Sequence, residues 1–518
     1  MLFTIAKRRF LANILTSRFI VAAVLIEVLF ISSTAVLIRG YARRQQQFHT
    51  EVQKHDKEMS NADVYAQLSV RLDRPPEPLS IFSAGADRRI AGSVSVAHNA
   101  APVMISGAEE DNPLLSVFSS LDMITIIQII LSLTVLLFSY NVVSEEKEKG
   151  TLRLVFSNNL PRHTFLAGNI LGGLLSLFLP LLLGFLSAFL LAYLHPAVQL
   201  TGTDMLRLVL VILAAMLFLS VFYSLGVLFS ILMKRSSTSL VFLLFIWVFL
   251  VILLPPGIIS IVRQIKPVES QSAIDQQAEA LRKEWYKRMW EYKDNHPRPE
   301  FIGEFIRDRY VETGYLPYAY HLGYAPREVA EWLINGSIYG HNLKIEYEDR
   351  IYELYHQYNV LLYKQAVLAD QLLRFSPSAV FYKFACQITG TDASVQLRFM
   401  EQAEQYRQRL IQYIRNKGGL SSYRLITGNP PEAFLPVSDL IRVRDTEGYE
   451  RVKSVIEKVY NPKDVKPLDL SDIPRFKFLR LSLTDSLNET LPDLIVLILL
   501  NLLLLTGCWI TFIRSDVR

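Results

Sequence analysis

Six stretches of the chain lose nearly all their polar residues for twenty or more positions: 19–38, 121–143, 170–194, 208–232, 239–259 and 492–513. A helix needs about 20 apolar residues to cross a bilayer core, so each stretch predicts a membrane-spanning helix. Residues 1–18 follow another pattern. Phe3, Ala6, Phe10 and Ile14 recur at helical spacing beside Lys7, Arg8 and Arg9, which predicts a helix lying along anionic headgroups. Segment 39–120 starts helical and polar, then breaks at Arg74-Pro75-Pro76-Glu77-Pro78; Leu79–Phe82 and Ser93–Ala97 read as short strands. Segment 260–491 carries three helical patterns, at 272–295, 342–374 and 391–416. In the second, Tyr347, Ile351, Leu354, Tyr358, Leu361 and Leu368 predict the core face of a helix. Pro297 and Pro299 end the first pattern, and Ser376-Pro377 ends the second. The expected fold is mainly α: six transmembrane helices, a small α+β external segment, and a larger, mostly helical external domain.

Composition agrees with this reading. Of 518 residues, 51% are apolar and 20% charged, against about 45–50% and 25% in soluble chains. The long uninterrupted runs exclude a membrane β-barrel, whose strands alternate over about 10 residues. A net charge of +5 without a dense basic stripe gives no nucleic-acid footprint. Cys386 and Cys508 are the two cysteines, and the second lies within an apolar run, so no disulfide framework is expected. Twenty apolar residues after Lys7, Arg8, Arg9 and Arg18 fit a retained anchor better than a signal peptide, whose apolar region runs about 7–15 residues.

Basic residues then set the orientation. Lys and Arg mark the N-terminus, the connection 144–165 (Lys147, Lys149, Arg153, Arg162), the turn at Lys234-Arg235 and the tail 514–518, whereas the connection 195–206 has none. By the positive-inside rule both termini are cytoplasmic in an inner membrane, and 39–120 and 260–491 are extracytoplasmic.

Within the spans, Gly168, Gly172, Ser220, Ser224 and Gly226 suit close helix contact, and Asn501 suits packing against a neighbouring helix or lining of a pathway. Pro180 predicts a kink. The spans are read as lacking a central Asp, Glu, Lys or Arg, a pattern that argues against a proton pump, a voltage sensor or an ion-coupled transporter. The nine histidines form no H-E-x-x-H, and His341 and His356 would stand about 20 Å apart along one helix, too far for one metal. There is no G-x-S-x-G elbow and no P-loop, so neither catalysis nor a resident metal is expected.

The loop after the second span reads Ser144-Glu-Glu-Lys-Glu-Lys-Gly-Thr-Leu-Arg-Leu-Val-Phe-Ser, then Asn158-Asn-Leu-Pro-Arg. This resembles the ABC-2 type permease family, in which an acidic pair, Gly-Thr-Leu and a later Pro-(Ser/Thr)-Arg form a short coupling helix that docks into an ATPase subunit. The resemblance implies ATPase-coupling roles for Glu145, Glu146, Glu148, Gly150, Thr151, Leu152 and Phe156. Leu225-Gly226-Val227-Leu228-Phe229-Ser230 and Lys234-Arg235-Ser236-Ser237 are similar to the family's fourth span and second cytoplasmic turn. Where the family often has Gly-Lys, this chain has Gly168-Asn169. A subgroup with a large insertion between the fifth and sixth spans looks similar in Phe375-Ser376-Pro377-Ser378, Thr389-Gly390-Thr391-Asp392, Phe399, Tyr406-Arg407, Asp472-Ile473-Pro474-Arg475-Phe476 and Phe512–Arg518.

The resemblance implies a permease subunit of an exporter, with ATP and Mg bound by a separate ATPase, a second permease copy, membrane lipid around it and an extracytoplasmic partner as an option. The alternatives are ATP-driven mechanotransmission without transport, or a membrane-anchored receptor, which would need a cytoplasmic output domain.

Overall fold

The computed structural model describes residues 1–88, 90–105, 121–157, 161–297, 299, 326–448, 450–452, 454–455 and 467–515; for 153–155 it describes the backbone alone. Asn158–Leu160 and Asp516–Arg518 of the sequence motifs lie outside the described residues.

Six of the described helices are long and apolar enough to cross a membrane: α2 (Ser17–Ser60), α3 (Met123–Glu148), α5 (Arg162–Leu194), α6 (Gly202–Leu232), α7 (Ser236–Ile265) and α13 (Leu483–Arg514). Most run past their apolar stretches, because caps rather than hydrophobicity decide where a helix stops. Asp122 Oδ1 accepts from the Thr125 amide at the start of α3, Thr201 and Asp204 form a capping box on α6, and Ser482 caps α13. Helix α2 runs for 44 residues and leaves the apolar region altogether.

Helix α1 (Leu2–Ile14) lies across α5. A Cβ on Gly168 would meet Ile5, and one on Gly172 would stand 2.3 Å from the Ala6 carbonyl. The small-residue pair therefore receives the N-terminal helix, and Asn13 Nδ2 donates to Ser176 Oγ at 2.8 Å beside it. Phe3 and Leu15 point outward, 79% and 78% exposed, so the expected apolar stripe is divided between α5 and the surroundings.

The second body is a distal domain. Strands β1 (Ser69–Asp73), β2 (Ser93–Ala97) and β3 (Ala100–Ile105) form an antiparallel sheet in that order. Leu79–Phe82 is not a strand: Pro78–Ile81 forms a 3₁₀ turn buried against the bundle, because Pro at its start fixes φ and removes a donor. Helices α8 (Gln271–Asn295), α9 (Arg327–Leu373), α10 (Pro377–Thr389), α11 (Ser394–Asn416) and α12 (Val437–Glu447) follow, with short 3₁₀ turns beside them. Helix α9 starts well before the expected position. Tyr347 and Ile351 are buried on it, while Leu361 is 46% exposed, so the tyrosine-rich stripe is core along only part of the helix. Phe399, Tyr406 and Phe476 meet in one aromatic cluster, with Tyr406 donating to the Pro474 carbonyl at 2.9 Å. Arg407, fully buried, pairs with Asp349 and Glu404. These motif residues hold the domain together.

One feature is absent from any hydropathy plot. The turn between α9 and α10 drives into the bundle. Ser376 Oγ donates to the Leu250 carbonyl at 2.7 Å, and Leu250 lies about 21 Å along α7 from its first residue. Phe381 stacks on Phe218 of α6 at 4.7 Å, and Gln128 of α3 donates to Ser378 Oγ at 2.6 Å. The α9–α10 hairpin is thus re-entrant. Two of these three contacting spans widen to a π-helix there, over Ile126–Leu131 in α3 and Val248–Leu253 in α7. Such widening spoils i→i+4 pairing and leaves carbonyls for other donors, which Ser376 uses.

Candidate functional sites: the loop, the hairpin and the spans

The connection that follows α3 holds the residues singled out in the sequence. It is two short helices and not one: Ser144–Glu148 closes α3, Gly150 takes a left-handed φ of +70°, and α4 (Thr151–Ser157) follows. Only glycine adopts that φ without cost. Glu145 accepts from Asn141 Nδ2 at 2.6 Å and pairs with Lys149. Glu146 accepts from the Thr151 hydroxyl, fixing α4 to α3. Glu148 accepts from the Ser236 amide at 3.2 Å and its hydroxyl at 3.0 Å, placing a carboxylate on the N-terminus of α7, where the helix dipole favours it. Lys147 donates to the Ile231 carbonyl at the end of α6, and Ser230 Oγ accepts from the Val143 and Ser144 amides. Leu152 is buried. Phe156 packs on Phe165 of α5 and Phe512 of α13, and Arg162 donates to the Ile513 carbonyl at 2.7 Å. The loop therefore grips the ends of α5, α6, α7 and α13 together, while Glu145 and Glu146 stay part-exposed.

Of the polar residues within spans, Asn501 packs: Ser220 donates to its Oδ1 at 2.5 Å, and its Nδ2 donates to the Leu217 and Leu497 carbonyls. Cys508 Sγ donates to the Ser224 carbonyl. These contacts zip α6 to α13. A Cβ on Gly226 would strike Ser139, so that glycine seats α3 on α6.

Charges are less absent from the spans than expected. Asp493 of α13 is 1% exposed and pairs with Arg374 at 3.1 Å and Lys383 at 3.3 Å, both on the hairpin; Lys383 also reaches Asp370. Glu27 stands in the middle of the first apolar run, which overturns the reading of that span as free of central charge. A charged side chain at the centre of a span costs about 2.5–3.5 kcal/mol on insertion scales, so such residues call for partners. Asp493 has them. Among the described residues, Glu27 has none.

At the junction of bundle and distal domain, buried charges form a chain of pairs. Asp87 takes Arg44 of α2 at 3.4 Å and Arg74 at 2.9 Å. Arg480 bridges Glu77 and Asp204, the latter at 3.1 Å. Arg207 donates to the carbonyls of Ile388 and Leu481 at 2.6 and 2.7 Å. Burial pushes the Glu77 carboxyl up to about 8, with Arg480 pulling the other way. Further out, His98 Nε2 and His341 Nδ1 lie 3.0 Å apart with stacked rings. Burial holds their pKa values down to about 3 and about 4. Sequence spacing could not pair these two, since they lie 243 residues apart. No group of three or more potential metal ligands occurs among the described residues.

A multi-pass bundle of six span-length helices, with a loop that grips four of them at one end, defines a polytopic membrane protein. The chain belongs to the ABC-2 family of transporter proteins, whose profile matches residues 3–286, more than half its length; residues 259–478 match a domain of unknown function, DUF3526. It is therefore a transmembrane permease component of an ABC transporter and not its ATPase, and the family works with ABC ATPase subunits. No curated protein matches the chain.

Proposed function

We propose that this permease couples ATP hydrolysis in a separate subunit to outward movement or extraction of a substrate, with 144–165 and both termini in the cytoplasm of an inner-membrane protein. The observation that carries this reading is the grip of the α3–α4 loop on four span ends, through Glu148, Lys147, Ser230 and Phe156. A push on that loop reaches α5, α6, α7 and α13 at once. A second copy completes the translocation unit, and ATP and Mg reside in the partner. Coupling of this kind needs two states of different nucleotide affinity. On this reading the α9–α10 hairpin is an outer plug, and transport requires its displacement.

A second reading, mechanotransmission to an extracytoplasmic partner, draws support from the junction network, since Arg44, Arg207 and Arg480 tie the distal domain to α2, α6 and the approach to α13.

The test is co-purification of an ABC ATPase with the tagged chain, assayed in nanodiscs beside Glu145→Ala/Glu146→Ala. A vanadate-sensitive ATPase that is lost or uncoupled in the variant supports the coupling role. If no ATPase binds and the variant matches the parent, the role fails. Movement of a lipid or amphiphile by the coupled complex separates transport from mechanotransmission.

A further inference from the structure

The first span ends on arginines. The apolar run 19–38 carries α2 through about 30 Å, the depth of a bilayer core, and Arg39, Arg43 and Arg44 follow directly. They stand at headgroup level, at the end of the bundle opposite the loop that follows α3. From Val28 to Thr50 α2 carries no Asp or Glu, so the helix offers these cations no carboxylate within a turn. Arg39 and Arg43 are exposed, and neither has a hydrogen bond or ion pair among the described residues.

Arg44, by contrast, is held in place. Its Nη2 donates to Ser80 Oγ at 3.0 Å and pairs with Asp87 at 3.4 Å. Its Nη1 turns to Gly40: a Cβ there would stand 3.8 Å from it and 3.5 Å from Arg88 Nη2. Guanidinium groups from two parts of the chain thus converge over the one position of this turn that has no side chain. Contacts of that length are ordinary, so packing does not demand glycine. Its missing side chain keeps a notch open between two cations. Arg74 also bears on Arg44, and Asp87, the carboxylate that Arg44 and Arg74 share, is 1% exposed and spent on them. Further inward, Arg480 occupies Glu77 and Asp204. Positive charge is therefore in excess around Gly40, at the depth of lipid phosphates. The planar fork of arginine binds phosphate oxygens two at a time.

We propose that the notch at Gly40, with Arg39, Arg43, Arg44 and Arg88 around it, binds the phosphate headgroup of an anionic lipid in the leaflet opposite the α4 loop. The tails lie along the row that leads down α2 from Gly40, where Val36 and Val28 are exposed. This site goes beyond the coupling role and needs only that the bundle sits in a bilayer.

The test is native mass spectrometry of the full chain in detergent, with phosphatidic acid as probe and phosphatidylcholine of the same tails as control. Phosphatidic acid should bind about tenfold or more tighter than the control. Arg39→Gln/Arg43→Gln should remove most of that preference and leave phosphatidylcholine binding as it was. Gly40→Leu, which fills the notch, should do the same. A side chain at a helix-interior glycine favours the helix, so an undiminished melting temperature will show that this variant folds. The preference should survive Lys7→Gln/Arg8→Gln, which removes exposed cations of α1. No preference in the parent, or an unchanged one in either of the first two variants, overturns the proposal. So does displacement of the lipid by inorganic phosphate at equal concentration, which would make this a site for the free ion. Lost binding together with a change in the number of copies also overturns it, by assigning the arginines to a contact between copies. Failure of an ATPase to co-purify sinks the coupling role and leaves this binding result standing.

Discussion

His98 and His341 show how a residue's surroundings set its chemistry. His98 sits at the β2–β3 turn, wholly buried, with Arg407 donating to its carbonyl. His341 faces it from α9, with Asn99 at 3.3 Å and Lys344 on its own helix. Glu348, also on α9, accepts from the Ala101 amide next to the turn. Both rings are neutral in the fold, with pKa values near 3 and 4 against 6.5 for a free imidazole. The unfolded chain therefore binds protons that the folded one refuses. This part of the stability is whole above about pH 6.5 and is lost progressively as pH falls toward the folded values. We predict that distal-domain melting drops between pH 7 and pH 4.5. The drop should be clearly shallower in His98→Asn/His341→Gln, measured by thermal unfolding at each pH. Equal slopes in both proteins would refute the assignment.

At the scale of an element, the α9–α10 hairpin depends on Asp493. Removing one partner of a buried ion pair typically costs about 3–5 kcal/mol, less here because Arg374 is one-third exposed. Asp493→Ala takes the carboxylate from Arg374, leaves Lys383 with Asp370 alone, and loosens the hairpin from α13. Cys386, on α10 and buried with its thiol raised to about 12 by burial, is a natural reporter. In a Cys508→Ser background it should resist maleimide in the parent and react at least severalfold faster in Asp493→Ala. Unchanged labelling would mean that apolar packing, such as Phe381 on Phe218, holds the hairpin without the charges.

For the whole molecule, the question is whether bundle and distal domain move as one. Arg480 stands between Glu77 and Asp204, which are 5% and 1% exposed. Arg480→Ala leaves two carboxylates buried together, and the raised Glu77 then takes a proton. The expected loss is about 1–3 kcal/mol, moderated by the partial exposure of Arg480. Calorimetry should show the distal domain melting ahead of the spans in the variant, where the parent melts with it. A single unaltered transition would mean that α2 and the hairpin carry the connection by themselves.

Much of this protein was legible as a one-dimensional pattern. The six spans, the helical character of 260–491, strand Ser93–Ala97 and the loop motif around Glu145–Phe156 all follow from local residue order. Hydrophobic run length, periodicity and caps are properties of neighbouring residues. The re-entrant hairpin was not legible, because Arg374-Phe375-Ser376-Pro377 reads as an ordinary break between polar helices. Its depth depends on π-widened turns in α3 and α7, which no period in the sequence announces. Gly168 and Gly172 announced a close contact but not its partner, α1. Glu27 was in plain view as a residue. Only the tertiary structure decided that Asp493 is satisfied and that Glu27 has no partner among the described residues, because a charge in a membrane is defined by what stands opposite it, and those groups come from distant parts of the chain.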